Sequence, residues 1–134
     1  IASDAADVEQ WSDGQLFDRI LIDAPCSGTG VIRRHPDIKQ LRRPEDIASL
    51  AEQQHRLLNT LWPLLKPDGL LIYTTCSALK QENEQQVEAF LQQHPEAQEN
   101  TLKIEPAQRR PFGYQRLPGD DNLDGFYYAS ISHR

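Results

Sequence analysis

Residues 17–30 read FDRILIDAPCSGTG, and the pattern of this stretch decides the architecture. Ile20, Leu21 and Ile22 form an unbroken apolar run, the mark of a strand buried on both faces, and Ala24-Pro25 ends it. A small-residue turn, Ser27 to Gly30, follows. Residues 44–65, PEDIASLAEQQHRLLNTLWPLL, obey a different period. Ile47, Leu50, Ala51, Leu57, Leu58, Leu61, Trp62 and Leu65 recur at helical spacing behind Pro44, with Glu45 and Asp46 in the first turn, so a helix is predicted whose end is tightened by Pro63. KPDG at 66–69 reads as a stop and turn, and LLIYTTC at 70–76 as a second buried strand. Strand, helix, strand is a crossover unit whose two strands run parallel.

Further along, KQENEQQVEAFLQQHPE (80–96) predicts a helix with Val87, Phe90 and Leu91 on one face. TLKIEP (101–106) reads as a short strand, AQRRPFGYQRLPGDDNLDG (107–125) as a loop, and GFYYASISH (125–133) as an alternating strand. With a strand at residues 1–3, this order predicts an open α/β sheet, mainly parallel, closing on an antiparallel edge.

The chain has 134 residues, 38% hydrophobic and 25% charged, the size and balance of one soluble domain. No run approaches the roughly 18 apolar residues that a membrane span requires, and the N-terminus lacks a secretory core, so a cytoplasmic protein is expected. The first residue is Ile, which predicts a piece of a longer chain. Net charge is -6, which disfavours indiscriminate attraction to nucleic acid and leaves room for a local basic patch. The two cysteines, Cys26 and Cys76, form neither a C-x-x-C pair nor a zinc-like cluster, and no metal is expected; a reducing compartment disfavours a disulfide.

Ligands of open α/β sheets sit beyond the carboxyl ends of the strands. Cys26 follows the first strand and Cys76 ends the second, so parallel pairing brings both thiols, with Asp23, to one edge. SGTG lacks the lysine of a phosphate-binding loop and is weak evidence for one. RRHPDIKQLRR (33–43) concentrates Arg33, Arg34, Lys39, Arg42 and Arg43 against a single Asp37, the footprint of a phosphate-backbone contact. His35 is expected to pack or meet substrate. Arg109, Arg110 and Arg116, beside Phe112 and Tyr114, form a second, weaker patch.

DAPCSGTGVIRRHPDIK, followed by LKPDGLLIYTTCS and DGFYYA, resembles the catalytic half of the RNA cytosine-5 methyltransferases, most closely those of the bacterial 16S ribosomal RNA (Sun/Fmu) type. The resemblance implies a Rossmann-like class I methyltransferase sheet lacking its first strands here. S-adenosyl-L-methionine is the implied cofactor, and RNA, 16S ribosomal RNA in particular, the implied partner. It assigns the nucleophile that adds to carbon 6 of cytosine to Cys76, product release to Cys26, and the grip on the base to Asp23. Asp4 matches a position that contacts the adenine, Pro25 the proline that shapes the turn under the base, and Asp23 also lies near the methionine end.

DNA cytosine-5 methyltransferases place their nucleophile in a Pro-Cys motif, which would favour Cys26. The TTCS cysteine and the SGTG continuation favour the RNA enzymes and Cys76. A noncatalytic RNA-binding module is the alternative from another class. The glycine-rich turn and ribose-binding acid of the cofactor site are not found before residue 17, so the chain by itself is expected to be inactive and to self-associate through an exposed sheet edge.

Overall fold

The computed structural model describes residues 3–134. In chain order the elements are α1 (Val8–Trp11), β1 (Phe17–Asp23), α2 (Ile38–Leu41), α3 (Pro44–Leu61), β2 (Leu65–Thr75), α4 (Glu84–Gln93), β3 (Ala97–Asn100), β4 (Gln108–Arg109), β5 (Tyr114–Arg116) and β6 (Phe126–His133). The strand expected at residues 1–3 falls largely outside the described residues.

The long helix α3 begins as its sequence dictates. Pro44 occupies the first turn, where an amide hydrogen would have no partner, and Asp46 accepts the backbone N–H of Arg43 at 2.9 Å. Its end tightens into a 3-10 turn over Trp62–Leu64, as Pro63 requires. The helix links β1 to β2, and the two strands pair in parallel, with Arg19 opposite Leu70 and Asp23 opposite Thr74.

The remaining pairings are antiparallel, so the sheet is mixed where a mainly parallel one was expected. Strand order is β1-β2-β6-β5-β4. β6 pairs with β2 along one edge and divides the other between β5 and β3. Among the described residues only the α3 crossover returns the chain parallel to its sheet neighbour; β6 enters against β2 and fixes the opposite sense for its other partners.

The structure departs from the sequence reading in four further places. KPDG lies inside β2, where the register slips between Phe17 opposite Leu65 and Arg19 opposite Leu70, so the turn residues form a bulge. TLKIEP is not a strand; β3 ends just before it at Asn100. The segment 107–125 contains the short strands β4 and β5. Finally, β1 is buried on one face only: Ile22 is 4% exposed, whereas Leu21, pointing the other way, is 69% exposed. β1 is also a sheet edge, paired with β2 alone among the described strands.

Both main helices pack on the sheet through the apolar faces that their spacing marked. Leu58 and Leu61 of α3 join Val87 and Phe90 of α4 in a core with Leu71, Tyr73, Tyr127 and Ile131. Trp62 meets Phe90 edge to face at 5.4 Å, and its indole N–H donates to Glu96 at 2.9 Å. Because Leu58 is fully buried, Leu58→Ala is expected to destabilise the fold by about 2–5 kcal/mol. Urea denaturation, with midpoint and slope compared to the parent chain, measures the loss.

Candidate active site

The parallel ladder does not stop at the ends of its strands. Ala24 N–H donates to the Thr74 carbonyl at 2.9 Å, and Gly30 N–H to the Cys76 carbonyl at 2.8 Å. Thr29 Oγ1 accepts the Ala78 N–H at 2.9 Å. The turn after β1 therefore runs alongside the turn after β2, and residues 50 apart in sequence face one another. Cys26 Sγ lies 3.3 Å from Cys76 Sγ, and Ser27 Oγ lies 3.3 Å from Ser77 Oγ.

The two thiols, expected to meet at one sheet edge, thus touch. Both are half-buried and free. At this distance the pair binds its protons jointly, and one S–H serves as donor to the other sulfur. The hydrogen bond from Cys26 is the largest influence on Cys76 and, against burial and the charges of Asp23 and Glu82, lowers its thiol to about 7. The same contact, followed by burial, pushes Cys26 far above the ordinary thiol range. Of the two, the contact favours the thiolate on Cys76 and the proton on Cys26.

Asp23 ends β1 opposite Thr74, with its side chain exposed beside this pair. Pro25 is exposed, and its carbonyl accepts from Gln54 Nε2 at 2.8 Å. Asp4 and Pro25 line a common cleft of about 390 Å³ with Ala6, Gln53, Arg56 and Leu57. One Asp4 oxygen accepts the Ala6 N–H at 2.9 Å.

The basic segment divides by role. Arg33 donates to Asn122 at 2.6 Å, and Arg34 pairs with Asp124 at 2.6 Å, fastening the segment to the loop before β6. Arg42 donates through Nε to the Ser27 carbonyl at 2.9 Å and so braces the Cys26 turn. Lys39 and Arg43 are exposed, and neither forms a salt bridge among the described residues. His35 is exposed. In the weaker patch, Arg109 is bound by Glu99 and lies 5.1 Å from the Tyr114 ring centroid, while Arg116 donates to the Asp124 carbonyl at 2.8 Å. Among the described residues no group of His, Cys, Asp or Glu could hold a metal ion, and no helix is long and apolar enough to cross a membrane.

Sequence reasoning missed the polar foundation of the site. Glu82, Asn83, Gln54 and Gln115 are buried beneath the two turns. Asn83 accepts the Thr75 hydroxyl and donates to the Ser77 carbonyl at 2.9 Å and to Gln115 at 2.7 Å. In sequence Glu82 and Asn83 look like the polar start of a surface helix, and Gln115 like a loop residue.

The fold of the chain is shared with solved structures. PH0851 superposes with a TM-score of 0.91 at 32% identity, over 98% of this chain and 30% of its own. A methyltransferase homolog from Pyrococcus horikoshii gives 0.79 at 30% identity, over 100% and 44%. Residues 1–132 match the family described as 16S rRNA methyltransferase RsmB/F, and the chain belongs to that family. Ribosomal RNA small subunit methyltransferase B of Vibrio cholerae is 55% identical over 98% of the chain. The probable counterpart in Coxiella burnetii is 50% identical over 98%. The chain spans about 30% of the length of these relatives.

The thiol pair makes a direct prediction. Alkylation of Cys76 by iodoacetamide, followed by peptide mass spectrometry against pH, should rise with a midpoint near 7, and Cys26→Ala should move it up toward the 9.0 of an unperturbed thiol. Removing the donor removes the stabilisation of the thiolate, so the shift is upward.

Proposed function

We propose that the full-length protein carrying this chain methylates carbon 5 of a cytosine in ribosomal RNA through a covalent adduct on Cys76. The observation that carries this reading is the 3.3 Å contact between the two sulfurs, in which Cys76 is the acidic partner. The Cys76 thiolate adds to carbon 6 of the ring, and carbon 5 becomes nucleophilic. Asp23, exposed at the end of β1, holds the base edge at ring nitrogen 3 and supplies a proton as negative charge develops there. S-adenosyl-L-methionine, when bound, supplies the methyl group that carbon 5 accepts.

Release requires loss of the carbon 5 proton and cleavage of the carbon 6–sulfur bond, which returns Cys76 as a thiolate and restores the aromatic ring. Cys26 serves this step beside the base or, once its own S–H proton has passed to solvent, as the thiolate that takes the carbon 5 proton. Once Cys76 is bonded to carbon, the hydrogen bond between the sulfurs lapses and Cys26 is left facing the adduct.

The residues that line the cleft beneath the Cys26 turn fit one end of the cofactor. Among the described residues one Asp4 oxygen has no hydrogen-bond partner and could meet a nucleoside donor, and Pro25 lines the same cleft. Lys39 and Arg43, with the outward faces of Arg33, Arg34 and Arg42, contact the phosphate backbone of the RNA in this reading. A cytoplasmic location is part of this reading, since its substrate is ribosomal RNA. Produced alone, the chain self-associates through the open edge of β1, and Leu21→Lys is expected to shift its sedimentation toward monomer.

RNA containing 5-fluorocytosine at the target tests the chemistry, because fluorine at carbon 5 cannot leave as a proton and the adduct persists. The full-length protein should form an adduct stable to denaturation, and Cys76→Ser should abolish it. An adduct that survives Cys76→Ser but is lost in Cys26→Ser would transfer the nucleophile to Cys26. Binding of RNA with no adduct in any variant would identify a noncatalytic RNA-binding module.

A further inference from the structure

We propose that Glu82 is the positioning residue of the thiol pair: its buried carboxylate locks the turn carrying Cys26 against the turn carrying Cys76 and holds the two sulfurs at contact distance. Four donors from three segments converge on it. Oε1 accepts the Ser27 N–H at 2.8 Å and Gln54 Nε2 at 3.1 Å. Oε2 accepts the Ser27 hydroxyl at 2.6 Å and the Ser77 hydroxyl. Ser27 and Ser77 each directly follow a cysteine, so one carboxylate grips the residue next to each sulfur.

Glu82 is itself anchored. It is 0% exposed, and its carbonyl accepts the Tyr73 hydroxyl at 2.6 Å, tying it to the C-terminal part of β2. Gln54 also donates to the Pro25 carbonyl, so α3 enters the same clamp. The alternative, that Glu82 serves the thiols through its charge, has the wrong sign. A negative charge beneath them opposes thiolate formation at both cysteines. What remains for it is geometry, which a carboxylate with four donors supplies better than a smaller or weaker acceptor.

This inference rests on the methyltransferase reading only for what the thiols are used for, and its test requires no substrate. The pH dependence of Cys76 alkylation is followed in the full-length protein, with Cys76 resolved by peptide mass spectrometry. Glu82→Gln keeps the clamp, since its carbonyl accepts the two N–H donors and its amide donates to the two hydroxyls. Only the charge is lost, and the midpoint should fall below the parent value.

Glu82→Ala removes the clamp, and the midpoint should rise from about 7 toward 9.0, because the contact with Cys26 is the largest influence on Cys76 and the Glu82 charge the smallest. Alkylation at neutral pH should then slow, by up to about fiftyfold if the midpoint reaches 9.0, as the thiolate fraction drops. Opposite shifts are the signature of positioning. If both variants lower the midpoint, or neither moves it, the proposal is overturned.

Should Glu82→Ala fail to fold by circular dichroism, the double variant Ser27→Ala with Ser77→Ala removes both hydroxyl donors and leaves the carboxylate in place. An upward midpoint supports positioning, and an unchanged one refutes it. If the opposite shifts appear while the full-length protein forms no 5-fluorocytosine adduct, the functional reading fails and the positioning role stands.

Discussion

The parallel pairing of β1 with β2 is the constraint on which the site depends. A parallel pair needs a long crossover, so α3 must lie between the two cysteines in sequence and across the sheet face in space. Once Asp23 is opposite Thr74, the following residues have little freedom: Ala24 bonds to Thr74, Gly30 to Cys76, and the sulfurs meet. A slip of one residue along β2 would turn Tyr73 out of the core and separate the thiols in the same step. Core packing and catalytic geometry are therefore one specification.

Beneath the thiols lies a buried polar layer in which Gln54 Oε1 is left without a hydrogen-bond partner among the described residues. Thr75, Ser77, Glu82, Asn83, Gln115 and Ser27 are all buried, and their hydrogen bonds run from one to the next. Such a layer is stable only when nearly every group finds a partner, because each buried group left unmatched costs about 1–3 kcal/mol. That requirement makes the arrangement stiff. It also separates the duties of the site, with exposed Asp23 and the half-buried sulfurs above and the buried scaffold below.

Local signals carried much of this far. The 3.6-residue period of 44–62 and the proline at its start located α3, and the apolar runs ending at Asp23 and Cys76 located the strand ends that matter. That Cys26 and Cys76 reach one sheet edge followed from the parallel crossover, while their contact depends on the register. What was not legible depended on partners remote in sequence. Leu21 looked like a core residue because an apolar run does not reveal which face will be covered. KPDG carried true turn chemistry, yet pairing with β1 absorbed it as a bulge. β4 and β5 are too short to announce themselves, and they form because β6 offers an edge. Glu82 and Asn83 read as solvent-facing because the donors that satisfy them come from residues up to 55 positions away.

Gly30 sits where three stretches of backbone touch. Its N–H bonds to Cys76, its carbonyl accepts the Gly125 N–H at 2.7 Å, and a Cβ there would lie 2.2 Å from the Gly125 carbonyl oxygen. The chain leaves this junction as the basic segment, which includes α2, and enters α3 at Pro44. Everything between is fastened at both ends and stands outside the scaffold that orders the sulfurs, apart from the Arg42 brace. Length and charge in that segment can thus change without moving the two sulfurs, so under the proposed function the RNA contacted could drift while the thiol pair stays fixed.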